Sequence, residues 1–448
     1  MDVRIITKEE VSSQSVTALD NQRMSIRQLF FLTSLVLALQ AQAQAPAGEA
    51  VSLAQALQAA RDNLDVALGR HALAGAQADI ASANRAPFPV LTAKLSQMDL
   101  QNGIGDGNFM TEKRVDKSIG LDWTWERGNK RELRTLTAER AAAAAQADLD
   151  DIRTQQLLAT QAGFFDLLAA QERLTQIALI ERSAAQLASS AQKRLQAGDL
   201  AAQDAARTEI EAQRASSDVQ LAELDRQRAA LTLWQFTGLP TPPEKLQALP
   251  DWPALNNDMV AVADLEPLVQ ARPDVRAAQA RVQAAQAALD VSSAQKKSDI
   301  TWGASYDHYP GTSTALVELR MQMPLQWGYG YQGEIGRAAA QLAQAQDALE
   351  KIRRQARAEL QRLQQEALGK ARRAQTFEAD ILPRARRVAD SAELAYSKGA
   401  LSLTDLLDAR RTLRATLLDA LSARTDYAKA AGAWQLRTQP DASIPRSN

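Results

Sequence analysis

At 448 residues the chain has room for several domains, and its formal net charge of −1 gives no electrostatic reason to expect nucleic acid as a partner. There are no cysteines and only two histidines, His71 and His308, which excludes a thiol nucleophile, a zinc–thiolate site and a disulfide framework. It also excludes an N-terminal lipid attached through cysteine. Hydrophobic residues make up 46% of the chain but aromatics only 5%, and Ala, Leu and Gln dominate, a composition suited to long helices packed closely together.

From Met24 the chain reads Arg27, an apolar run Leu29–Leu39, then Ala41-Gln42-Ala43-Gln44-Ala45, the pattern of a secretory signal. The run has 11 residues, whereas a transmembrane helix needs roughly 20. Pro46 beside Ala45 disfavours cleavage there, so cleavage is expected after Ala43, with residues 1–23 lying upstream of the signal. No later run is long and apolar enough to span a bilayer as a helix, so any membrane crossing falls to strands.

The remainder is written twice. A first copy is expected over 44–240 and a second over 265–438, joined by a Pro-rich linker at 241–264 and followed by a tail at 439–448. Asp65-Val66 matches Asp274-Val275, and Ala76-Gln77-Ala78 matches Ala285-Gln286-Ala287. Gly198 and Asp204 recur as Gly399 and Asp405, with Trp234 and Trp434 closing the two copies.

Each copy starts with a helical pattern, Ser52–Asn84 and then Glu266–Lys297. Paired strands follow. Val90–Leu100 and Ile119–Trp125 are joined by the turn-rich Gln101–Thr111, and Asp299–Tyr309 and Ala315–Leu325 by Pro310–Thr314. In the second strand of each pair the odd positions are apolar, with Glu318, Arg320 and Gln322 facing the other way. Trp123, Trp125, Trp302, Tyr306, Tyr309, Trp327, Tyr329 and Tyr331 fall in or beside these strands, the placement of interfacial girdles. A soluble hairpin packed on helices alternates in the same way, so alternation alone leaves both readings open.

Lys130–Ala197 has one Gly and no Pro, and at 1.5 Å per residue it extends about 100 Å. Glu334–Ser397 matches it, with a single Pro383. Helices of this length need coiled-coil partners. Gly198 and Gly399 read as sharp turns at the far ends, leading into return helices Ala201–Thr237 and Ser402–Leu436. Two hairpins supply four strands, too few to close a membrane barrel, so copies must combine.

The repeat, Phe164–Leu174 (FFDLLAAQERL), Arg194–Asp204 (RLQAGDLAAQD) and Ala395–Leu413 (AYSKGALSLTDLLDARRTL) resemble the TolC family of outer-membrane efflux proteins. Glu126–Arg140 and Gly328–Ala340 resemble its heavy-metal branch, associated with cation-exporting RND pumps. The resemblance implies a mainly α fold with a small β part: antiparallel coiled coils forming a periplasmic α-barrel, and four strands given to a 12-stranded barrel of a homotrimer in outer-membrane lipid. It implies a passive exit duct with no enzyme activity, no cofactor and no resident metal, docked to a periplasmic adaptor and an inner-membrane RND-type pump.

It further implies that Asp405 and Asp408 ring the periplasmic aperture; the bland alternative is two acids on a solvated helix. Asp204 and Tyr396 fall where the family has a hydrogen-bonded latch, although Leu401 stands where that latch carries an Arg. The tips around Gly198 and Gly399 would contact the adaptor. Trp123, Trp125, Trp302, Tyr306 and Trp327 would mark the membrane interface. Two rival readings are the same duct carrying drugs or secreted proteins, and an exported structural coiled coil, which needs no alternating aromatic strands.

Overall fold

The computed structural model describes residues 50–97, 115–255, 262–310 and 313–439, with positions 101, 106 and 108. The signal segment, most of the Gln101–Thr111 turn and the end of the tail lie outside them. In the first copy, α1 (Leu53–Ala60) and α2 (Leu64–Ala83) precede β1 (Val90–Ser96) and β2 (Asp116–Trp125). The long α3 (Lys130–Gln196) and its return α4 (Ala202–Thr237) follow. The second copy runs α5 (Glu266–Ala271), α6 (Pro273–Ala294), β3 (Ile300–Tyr309), β4 (Ser313–Gln322), α7 (Gln332–Thr376), α8 (Leu382–Ser397) and α9 (Leu403–Thr438).

Three expected helices are interrupted. Ser52–Asn84 breaks at Arg61-Asp62, where Asn63 accepts from the Asp65 N–H and caps a new helix. Glu266–Lys297 breaks before Pro273, which starts α6 as its first residue. Glu334–Ser397 is divided by a π-helical turn over Phe377–Ile381, where the Leu382 N–H bonds back to the Phe377 carbonyl. Pro383 lies just beyond. It has no N–H to donate and its ring crowds the preceding turn, so the widened turn relieves both problems.

These four strands form one antiparallel sheet in the order β1-β2-β3-β4, separate from a short two-stranded pairing. The register assembles one face from Leu91, Leu121, Ala304 and Leu319 in one row, Ile119, Tyr306 and Val317 in another, and Trp123, Trp302 and Met321 in a third. These larger side chains are all exposed, up to 82% for Leu319. The opposite face carries Thr92, Asp122, Ser305, Asp307, Glu318 and Arg320. The fourth strand ends at Gln322 rather than at the expected Leu325, and the first is described to Ser96.

The densest core lies where the linker crosses the helices. Phe164, Leu167 and Leu168 pack with Leu233 and Leu246, and Trp252 stacks on Phe165 at 5.7 Å between centroids. The Trp252 indole donates to Glu172 at 2.6 Å, and the Tyr427 hydroxyl donates to the Ala254 carbonyl at 2.8 Å. These bonds hold the Pro-rich connector as a strap against α3 and α9. In the second copy Leu265, Val269 and Val275 close on Ala356 and Leu360. Among the described residues no helix is long and apolar enough to cross a membrane.

Candidate functional site: helical tips and two-faced sheet

The two tips have the same backbone construction. Gly198 has φ +81 and Gly399 has φ +75, a left-handed turn that a Cβ would strain. The Asp199 N–H reaches the Arg194 carbonyl at 2.8 Å, and the Ala400 N–H reaches Ala395 at 2.9 Å, so both helices end in the same Schellman motif. The following caps differ. Ser402 accepts from the Asp405 N–H at 3.2 Å and donates to its carboxylate at 2.7 Å, whereas Ala201 caps α4 with no side chain.

Asp405 and Asp408 are both exposed on α9. Neither carboxylate is free: Asp405 is held by Ser402, and Asp408 lies 3.5 Å from Arg411. The expected Tyr396–Asp204 contact does not form within the protomer. The Tyr396 hydroxyl instead accepts from Arg194 at 3.3 Å, and Asp204 pairs with Arg207 at 3.8 Å. A cation one turn before the Gly198 tip therefore takes the tyrosine, and the acid is drawn to its own helix.

Above the tips the first helix pair is tied to the second by groups that the sequence reading missed. Arg207 approaches the Thr404 hydroxyl at 3.4 Å, Arg411 bridges to Glu211 at 3.2 Å, and Arg414 pairs with Asp218. A signal for them was present: Asp204, Glu211 and Asp218 recur every seven residues along α4, opposite arginines on α9. Leu179, Ile180, Leu407 and Leu417 line a mostly apolar cavity between the two pairs, with Glu211, Arg411 and Arg414 also on its wall.

At the other end of the helices, Trp123, Trp125, Trp302, Tyr306 and Trp327 are all exposed. On the polar face Arg320 reaches Asp122 at 2.6 Å across the intervening strand. Asp307 is buried and accepts from Ser305 at 3.1 Å. Among the described residues no three His, Cys, Asp or Glu side chains are grouped to hold a metal.

Residues 265–434 match the family model described as Outer membrane efflux protein. The cobalt-zinc-cadmium resistance protein CzcC of Cupriavidus metallidurans is 29% identical over 297 residues, which is 64% of this chain and 68% of that protein. The fold is similar to the CmeC outer membrane channel of Campylobacter jejuni, with TM-score 0.73 and 14% identity over 86% of this chain and 85% of that one. It is also similar to CusC, whose structures concern folding and transmembrane channel formation, with TM-score 0.65 and 16% identity over 86% of this chain and 91% of that one. The exposed two-faced sheet, the twin tips and these likenesses converge: residues 265–434 match the outer membrane efflux protein family, and the fold is similar to that of outer membrane channels.

Proposed function

We propose that three copies of this chain close into a duct that passes divalent metal cations from an inner-membrane RND-type pump and a periplasmic adaptor to the exterior. The observation that carries the assembly is the four-stranded sheet, apolar on one face and polar on the other, with no strand beyond β1 or β4 among the described residues. In lipid each unpaired edge N–H and C=O costs several kcal/mol, so an open sheet is untenable there. Three copies give 12 strands, with the apolar face outward and the polar face lining a lumen. Exposed apolar side chains on the long helices, Leu221, Leu224 and Leu231 on α4 and Val388 and Leu394 on α8, supply surfaces for neighbouring copies.

The similarity to CzcC supports metal cations as cargo. The exposed pair Asp405 and Asp408, tripled around an axis, would gather cations at the narrow end. In this reading the tips around Gly198 and Gly399 meet the adaptor, and the pump supplies the energy. Deleting the gene should sensitise cells to cobalt, zinc or cadmium, and plasmid-borne protein should restore resistance. Sensitivity to organic drugs alone would overturn the cargo. A purified protein that stays monomeric in detergent and forms no conducting channels in planar bilayers would overturn the duct.

A further inference from the structure

Cations gather where the strands meet the long helices. The chain segments 84–89, 126–134 and 295–299 contain seven Lys and Arg against three carboxylates, in a protein whose overall charge is −1. Contacts bring the segments together. Arg131 donates to the Asn84 side chain at 2.9 Å, and Arg134 donates to the Arg85 carbonyl at 3.2 Å. The Arg127 N–H and the Lys130 ammonium share one Asp299 oxygen, at 2.9 and 2.8 Å. Lys297 lies over Gly128.

Two of the three carboxylates are committed inside the junction, Glu126 to Arg134 and Asp299 to Lys130. Arg85, Arg127, Arg131, Lys296 and Lys297 remain on the surface. The surplus is placed against local electrostatics. Lys130 and Arg131 occupy the first turn of α3, where the helix dipole disfavours positive charge; Glu132 is the acid beside them, and Asn129 makes no side-chain cap. An outside anion would relieve this arrangement.

The patch is continuous with the apolar face of the sheet. Trp125, the last residue of β2, is exposed, and Arg127 follows two residues later with its guanidinium 3.9 Å from the Met323 sulfur. Phe88, two residues before β1, is also exposed, as is Trp327 beyond β4. Aromatics followed outward by cations is the order met on leaving hydrocarbon for the headgroup layer. The helices attach at this end, so the layer is the periplasmic leaflet.

We infer that this junction is a binding surface for the phosphate groups of anionic phospholipids in the periplasmic leaflet, one per protomer. The inference rests on the barrel reading above. Each exposed cation near an anionic surface adds attraction that salt screens. The phosphates of lipopolysaccharide, in the outer leaflet, lie at the opposite end of the strands and are not the ligand.

The full protein is reconstituted in bilayers of phosphatidylcholine with a minor share of phosphatidylglycerol, and the lipids it retains on gentle extraction are counted by native mass spectrometry. Heat-modifiable migration, read first, reports insertion. The expected result is a preference for phosphatidylglycerol of at least about tenfold that falls to near unity in the Arg85→Gln, Arg127→Gln, Arg131→Gln, Lys297→Gln variant. The same changes at Lys193 and Lys398, near the tips, should leave it intact. Should the fourfold variant fail to insert, salt decides with the wild-type protein: raising it to about 1 M, where screening reaches about 3 Å, should abolish the preference. A wild-type protein that inserts but retains both lipids equally, or whose preference survives high salt, overturns the inference alone. Failure of the wild type to insert overturns it together with the barrel.

Discussion

Asp122 on β2 and Arg320 on β4 form a 2.6 Å salt bridge that passes over Gly303 of the strand between them. The two bridged strands lie about 10 Å apart, so the contact requires the long Arg side chain and nothing tall beneath it. A Cβ on Gly303 would stand 2.2 Å from the Asp122 oxygen. Because the obstructing atoms are side-chain ends, Gly303→Ala should displace the pair rather than the strands, and its cost should match that of Asp122→Asn, which is small for so exposed a bridge. Urea unfolding in lipid vesicles compares the two, and a Gly303→Ala protein much less stable than Asp122→Asn would mean that the strands themselves had moved.

Arg320 is also the cation held among Asp122, Glu318 and Asp307 on the polar face, with Lys94 further along it. If that face lines the lumen, Arg320→Ala leaves three carboxylates per protomer without it. Cation selectivity should rise, read as a shift of the reversal potential toward the cation equilibrium value in asymmetric KCl. No shift would place Arg320 away from the conducting path.

At the tip the Arg194–Tyr396 contact predicts a thermodynamic cycle. Tyr396→Phe and Arg194→Ala remove one interaction from opposite ends, so the double variant should change closed-state conductance no more than the larger single one. Arg411→Ala with Arg414→Ala breaks the links to Glu211 and Asp218 and should open the tip further, as higher resting conductance in bilayers. Strictly additive Tyr396 and Arg194 effects would mean that the tyrosine has a second partner in the assembly.

The strand faces were legible from Ala315–Leu325 and Ile119–Trp125 because a period of two assigns a face without knowledge of the partner strand. The tips were legible because a left-handed turn selects glycine at Gly198 and Gly399. The ends of helices were harder to read. Whether Ser52–Asn84 runs straight depends on a cap at Asn63, and the response to Pro383 depends on packing that periodicity does not carry. The partners that Asp204 and Tyr396 take within one chain were not legible: each lies by a tip, but Arg194 and Arg207 meet them at distances only the folded chain sets. Arg411 and Arg414 were hidden in a charged face that reads as solvated until α4 is laid against it.

Asp405 and Asp408 bear on cation entry. Replacing both by Asn should weaken block of single-channel current by multivalent cations by about tenfold or more. Asp408→Asn alone also frees Arg411 from its 3.5 Å contact, leaving it to Glu211. Its effect on block should exceed its effect on resting conductance. Unchanged block in the double variant would assign both acids to an ordinary solvated helix face.

Near the linker, Arg272 is buried and donates to both Asp274 oxygens, at 3.0 and 2.8 Å, and to Glu359 at 2.8 Å. Burial opposes ionisation of Asp274, but the Arg272 guanidinium overcomes it and holds the carboxyl below its usual range. A carboxyl depressed in the folded state stabilises the fold above its unfolded pKa, and that contribution is lost as pH falls through the folded value. Asp274→Asn should thus cost roughly 3 kcal/mol at pH 7 by leaving Arg272 short of charge. The gap to wild type should close as the medium becomes more acidic than the ordinary aspartate range. Nearby Asp151 has the opposite sign: burial raises it above its usual range in spite of Arg437. Its ionisation works against folding, so Asp151→Asn should cost less than Asp274→Asn at pH 7, with the difference shrinking in acid. Thermal melts of the three proteins from pH 7 down to about pH 2 test both signs, and a gap between wild type and Asp274→Asn that stays constant to the acid end would show that the carboxylate charge is not what holds Arg272.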